Sequence, residues 1–193
     1  MFCSKRLLFL SNRGLKIKIT VLKGSPHKNG ASNTLAQEFI KGAKEQGHEI
    51  VELDCAKMNL NPCLGCSITG KDKDCIQKDD GNILREEITT SDMVVFVTPV
   101  YFYDMSAQLK IALDRFHCFY HRLADKNMKS AIIMTACRTD DEVMKYLNDI
   151  YIALTKYLNF ENVGIIKATG CNVNSIDKDS KFLTEAYNLG KNL

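Results

Sequence analysis

Apolar and polar residues alternate along residues 16–23, with Ile17, Ile19 and Val21 on one face and Leu22 helping to cover the other, which predicts a strand. The period changes after Gly24. Through residues 33–46, Leu35, Phe39, Ile40 and Ala43 recur at helical spacing, and Gly47 is a natural stop. Residues 48–54, carrying Ile50, Val51 and Leu53, predict a second strand. Residues 55–78 hold no sustained period and contain Pro62, Gly65 and Gly70; so long a loop in a compact domain is usually functional or disordered. A helix over 80–90, with Ile83, Leu84 and Ile88 as its stripe, precedes the run Met93-Val94-Val95-Phe96-Val97. That nearly continuous apolar run is expected of a strand buried on both faces of a parallel sheet. Residues 98–104 then read as a loop and 106–123 as one helix built on Leu109, Ala112, Leu113, Phe116 and Leu123. A fourth strand over 130–137, a helix over 140–158, a fifth strand over 162–169 and a closing helix over 178–189 complete the pattern.

Five strands alternating with helices of ten or more residues require a parallel sheet with helices on both faces, so the fold class is α/β. At 193 residues one domain is expected, over residues 15–193. Residues 1–14 fit no element and read as an N-terminal extension, either a surface arm or a leader ahead of a functional start near Leu15. Composition adds exclusions. A net charge of +3 without a Lys/Arg block gives nucleic-acid binding no electrostatic support. No apolar run approaches the roughly 20 residues of a membrane span. Leu7-Leu8-Phe9-Leu10 is too short for a secretory signal core, and Asn12-Arg13 closes it without a cleavage site. Eight cysteines without such a signal then point to a reducing compartment, and a cytoplasmic location is expected.

Ligands of open α/β sheets sit beyond the carboxyl ends of the strands, so the loops after the strands carry the chemistry. The first loop has neither the dinucleotide fingerprint G-x-G-x-x-G nor the P-loop, because five residues separate Gly24 from Gly30 and Ala31-Ser32 follows. What remains is a cup rich in hydroxyls and amides. Ser25, Ser32, Asn33 and Thr34 can donate hydrogen bonds, His27 or Lys28 adds positive charge, and the following helix aims its N-terminus at the same point. Such a cup suits a terminal phosphate monoester; the alternative is a plain helix N-cap at Ser32. After the third strand, Tyr101, Phe102 and Tyr103 follow Pro99, a wall for a flat ring or a partner surface.

Three segments in order carry a family resemblance. They are Gly24-Ser25-Pro26-His27-Lys28-Asn29-Gly30 with Ser32, Asn33, Thr34 and Leu35; Pro62-Cys63-Leu64-Gly65-Cys66 with Cys75 and Asp79-Asp80; and Thr98-Pro99-Val100-Tyr101-Phe102 with Met105, Leu109-Lys110 and Asp114-Arg115. The chain resembles the NADPH-dependent FMN reductase family, and within it the iron–sulfur flavoprotein and multimeric flavodoxin branch. The resemblance implies a flavodoxin-like three-layer sandwich with a five-stranded parallel sheet of order 2-1-3-4-5 and noncovalent FMN. By that likeness Ser25, His27, Ser32, Asn33 and Thr34 hold the FMN phosphate. Pro99, Val100, Tyr101 and Phe102 run along the ribityl chain and ring, and Ala136 and Cys137 approach the ring from after the fourth strand. The family more often has Arg where His27 stands, and an imidazole offers one donor in place of a guanidinium fork.

The cysteines depart from that branch. A cubane cluster needs four thiolates; Cys63, Cys66 and Cys75 are present, residues 67–74 supply no fourth, and Cys55 completes a set only if the loop folds back. An iron–sulfur cluster is therefore not expected, and neither is zinc. Asp114, His117 and His121 share a helical spacing but lack a further ligand, and read as an exposed face. Asp140-Asp141-Glu142 reads as acid at a helix N-terminus.

The expected activity is an oxidoreductase that takes electrons from NADH or NADPH through FMN to a small acceptor such as a quinone, nitro or azo compound, flavin or metal ion. No catalytic acid or base is nominated. The rivals are an FMN electron carrier of the iron–sulfur flavoprotein type and a flavodoxin-like binding protein without turnover. By likeness the chain forms a homodimer or homotetramer, with neither nucleic acid nor membrane as partner.

Overall fold

The computed structural model describes residues 15–66, 75–172 and 175–193. The sheet is built from β1 (Lys18–Lys23), β2 (Glu49–Asp54), β3 (Met93–Tyr101), β5 (Lys129–Thr135) and β6 (Glu161–Ala168), all parallel, with a short antiparallel β4 (Asp104–Met105) folded back on β3. The order is β2-β1-β3-β5-β6, which is the expected 2-1-3-4-5 once β4 is set aside. The helices are α1 (Ala31–Glu45), α2 (Gly81–Thr90), α3 (Ala107–Asp114), α4 (Tyr120–Ala124), α5 (Glu142–Leu158) and α6 (Lys181–Lys191). None of the described helices is long and apolar enough to cross a membrane.

Strand alternation builds two cores, because successive side chains point to opposite faces. Ile19 and Val21 of β1 and Met93, Val95 and Val97 of β3 pack under α1 and α6 with Leu35, Phe39 and Ala186. Leu22, Val94 and Phe96 face the other way, onto Leu84, Ile88, Leu109, Phe116 and Leu147 of the remaining helices. Each fully buried Leu, Val or Phe contributes about 1.5–3 kcal/mol, so both faces hold the sheet. At the α1–α6 crossing Gly42 and Gly190 let the two backbones touch; a Cβ on either would collide with a carbonyl of the opposite helix.

Four expectations change. Ile83 is 50% exposed and leaves the α2 stripe to Leu84 and Ile88. The loop expected over 98–104 is the end of β3, a two-residue turn at Phe102 and Tyr103, and β4, because Val100 pairs with Met105 and Tyr101 with Asp104. The fourth parallel strand stops at Thr135, so Ala136 and Cys137 lie in the loop beyond it. The helix expected over 106–123 is broken. α3 ends at Asp114, a 3-10 turn spans Arg115–Cys118, and α4 begins after Phe119, whose φ of −141° and ψ of 12° lie outside the helical region. The break coincides with Arg115, whose guanidinium is drawn inward onto the Asp79 carboxylate at 2.6 Å. Asp114, His117 and His121 consequently do not share one helix face; Asp114 pairs with Lys110 at 2.5 Å, and both imidazoles pack on the Tyr120 ring.

Candidate functional site

The carboxyl ends of the strands converge because their registers align. Lys23 is opposite Val97, Pro99 opposite Thr135, and Thr135 opposite Ala168. The loop after β1 is fixed to β3 by the Gly24 N–H donating to the Val97 carbonyl at 2.8 Å. No side chain fits at position 24, where a Cβ would lie 2.6 Å from Ser106 Oγ and 2.7 Å from Leu109 Cβ. Ser106 uses that proximity: its hydroxyl donates to the Gly24 carbonyl at 2.7 Å and caps α3 by accepting from the Leu109 N–H at 3.4 Å. The start of α3 and the loop after β1 are thus one unit.

From Gly24 the chain passes through Ser25 and His27 to Gly30, the cap of α1, which brings no side-chain hydrogen bond to the helix end. The first backbone N–H groups of α1 have no partner within the helix, and its first turn carries no acidic residue. The cup is held from within. Asn33 Nδ2 donates to the His27 carbonyl at 2.9 Å and the Ser25 carbonyl at 3.5 Å, and the Thr34 hydroxyl donates to the Gly30 carbonyl at 3.1 Å. Asn33 Oδ1 is buried without a protein partner. Ser25 and Ser32 are buried at 4% and 2% exposure, whereas His27 and Lys28 are exposed.

Beside this cup lies a cleft of about 340 Å³, open solvent at its mouth included. Ser25, His27, Ala31 and Ser32 form one end, Pro99, Val100 and Tyr101 one wall, and Thr135, Ala136, Cys137, Cys171 and Asn172 the other. Of the residues singled out in the sequence, Ser25, His27, Ser32, Pro99, Val100, Tyr101, Ala136 and Cys137 come together here. Asn33 and Thr34 brace the cup from behind. Phe102 does not line the cleft: it is 100% exposed at the tip of the β3–β4 turn, with φ of 50°. Its neighbour Tyr103, at φ 67°, packs edge-on against Tyr146 with centroids 5.7 Å apart and accepts from Arg138 at 3.4 Å.

Cys171 and Asn172 were not anticipated, although they follow the fifth parallel strand at its carboxyl end, where the same rule applies. The Cys171 N–H donates to the Ala136 carbonyl at 2.9 Å, which brings the β6 loop against the β5 loop. Burial pushes the Cys171 thiol up to about 11, with Cys137 nearby adding to the shift.

The four cysteines weighed for a cluster are not one set. Cys55 is buried in the core behind β2, where desolvation raises its thiol to about 12. Cys63, Cys66 and Cys75 are half-buried, and Cys75 is engaged by Arg115 at 3.3 Å. Among the described residues no three His, Cys, Asp or Glu side chains converge as ligands. These donors do not fit a four-thiolate cluster.

Comparison with known proteins agrees with this geometry. A family model described as NADPH-dependent FMN reductase matches residues 17–160. An iron–sulfur flavoprotein of Archaeoglobus fulgidus is 28% identical over 136 residues, 69% of this chain and 62% of that protein. The chain spans about half to three-fifths of the length of the curated relatives it matches. Among solved structures, an NAD(P)H:quinone oxidoreductase from Methanothermobacter marburgensis superposes with a TM-score of 0.75 at 18% identity, covering 92% of this chain and 96% of that one. An FMN-dependent NADH-azoreductase from Bacillus anthracis, in complex with FMN, gives 0.64 at 14% identity over 91% and 96%. At such identities the structures speak to the flavodoxin-like fold alone. The matched segment runs from β1 through α5 and takes in the cup and the Pro99–Tyr101 wall, and by that match this chain belongs to the NADPH-dependent FMN reductase family.

Proposed function

We propose that the chain binds FMN in the cleft and acts as an oxidoreductase, drawing electrons from NADH or NADPH and passing them to a small acceptor. The observation that carries this reading is the junction of an uncapped helix N-terminus with a cleft between two loop walls. The donors fit a phosphate monoester: Ser25 and Ser32 offer hydroxyls, the first turn of α1 offers backbone N–H groups, and His27 offers a ring nitrogen. Pro99, Val100 and Tyr101 on one side and Thr135, Ala136 and Cys137 on the other orient a flat ring, and Tyr101, 40% exposed, leaves part of the cleft rim apolar and open.

Bound there, FMN supplies the hydride and single-electron chemistry. The protein's own part is to hold the phosphate, set the ring's orientation and keep one approach free for the nicotinamide and then the acceptor. A second copy of the chain covering the exposed aromatic rim at Tyr101 and Phe102 belongs to the same reading.

Titration of the chain with FMN and with riboflavin tests it. Hydrogen bonds to a charged group contribute about 1.5–3 kcal/mol each, so two in the cup make FMN tighter than riboflavin by at least about 100-fold. Equal affinity for the two would overturn the phosphate assignment.

A further inference from the structure

Cys75 and Cys118 meet at a single residue. The Arg115 guanidinium donates from Nη2 to Cys75 Sγ at 3.3 Å, and the Cys118 thiol donates to the Arg115 backbone carbonyl at 3.1 Å. Each thiol also bears on the other's pKa, Cys118 lowering that of Cys75 and Cys75 raising that of Cys118. Arg115 is immobilised. It forks onto Asp79 at 2.6 and 2.9 Å, Nη1 reaches the Asn61 carbonyl at 3.1 Å, and the two side chains are 1% and 2% exposed. Asp79 is held in turn by the N–H groups of Asn61 and Gly81, each at 3.0 Å.

A buried ion pair is weak evidence for stability by itself. This one directs a guanidinium N–H at a sulfur, which packing alone does not require. Both thiols are half-buried, unlike the enclosed Cys55 and Cys171, and neither lines the cleft.

We propose that Cys75 and Cys118 are a redox-active dithiol, a second redox site outside the cleft, which a hydroperoxide closes into an intramolecular disulfide. The Cys75 sulfur attacks the peroxide oxygen and becomes a sulfenic acid as water leaves with the thiol proton. The Cys118 sulfur then displaces that oxygen as a second water, forming the S–S bond. In all, two thiols lose two electrons and two protons, and hydrogen peroxide is reduced to two waters. A small dithiol reverses the step by exchange.

The environments of the two sulfurs assign the roles. Burial pushes the Cys75 thiol up, but the Gln77 N–H, the Arg115 guanidinium and the Cys118 thiol outweigh it, and the net shift is downward. Burial and the adjacent Cys75 push Cys118 up to about 11. Attack belongs to the thiol more readily ionised and resolution to the other. The new bond fastens residue 75, just ahead of α2, to the 3-10 turn that closes α3.

Peptide mapping of the full chain tests this, after reduction, a stoichiometric amount of hydrogen peroxide and alkylation of the remaining thiols. The expected product is a peptide joined through Cys75 and Cys118 that separates on adding dithiothreitol. In Cys118→Ser, dimedone is expected to label Cys75 after the same treatment. Cys75 and Cys118 both recovered as alkylated thiols, or Cys75 joined instead to Cys63 or Cys66, would overturn the proposal, and neither result depends on a variant folding.

Discussion

At the scale of single residues, charge placement carries the sharpest consequences. His27 stands exposed at the end of the cleft, where its ring offers one donor to a phosphate. In His27→Arg a bidentate, permanently charged fork replaces it, and FMN affinity is expected to rise about tenfold; an unchanged Kd would remove His27 from the phosphate contacts. Asp79 is set the opposite way, in the interior. The Arg115 hydrogen bonds, opposed by burial and joined by the Asn61 and Gly81 N–H groups, hold its carboxyl well below the usual carboxylate range. A lowered folded value means that the unfolded chain takes up the proton first as pH falls. The stabilisation from Asp79 is therefore complete above the unfolded value, near about pH 4, and is lost progressively as pH drops toward the folded value. Asp79→Ala leaves Arg115 buried and unpaired, which costs about 3–5 kcal/mol in denaturant unfolding near neutrality, and its acid transition should be shallower than that of the parent chain. That Ser25, Ser32 and His27 would lie together at the cleft was legible because they sit in the short polar loop between a strand and a helix. The inward turn of Asn33 and Thr34 was not, because composition does not say which side of a loop a side chain takes.

Among the elements, the β3–β4 turn is the most strained. Phe102 and Tyr103 both adopt the left-handed region, where an L side chain is disfavoured by about 1–2 kcal/mol. Two-residue hairpin turns favour Asn and Gly at such positions. Phe102 is wholly exposed in the single chain, so in the monomer Phe102→Asn is expected to add about 1 kcal/mol of stability, read as a rise of about 2–4 °C in Tm at a concentration where the chain is monomeric. A fall in Tm would show that the ring is packed in solution. Periodicity predicted the long elements, because α1 and α5 each bury one consistent face and the central strands β1 and β3 form apolar runs buried on both. It failed where no period exists: a two-residue strand has none, and the break after α3 carries neither glycine nor proline. The Asp79–Arg115 pair that coincides with that break joins residues far apart in the chain, and only their opposite charges are visible in the sequence.

For the whole molecule, the sheet order brings the loops after β1, β3, β5 and β6 to one edge, and the cup and the cleft become a single candidate site. The parallel sheet with helices on both faces was readable from the alternation of strands with helices, whereas the strand order came from the resemblance to the family. The loop after β6 escaped because its contribution to the cleft depends on a backbone bond from Cys171 to Ala136, a contact that no local pattern encodes. Anaerobic mixing of the FMN-loaded chain with NADPH, and separately with NADH, tests the central claim most directly. The flavin absorbance is expected to bleach with at least one of them and to return when a quinone is added. A flavin that binds tightly yet keeps its oxidised spectrum with both nucleotides would contradict it.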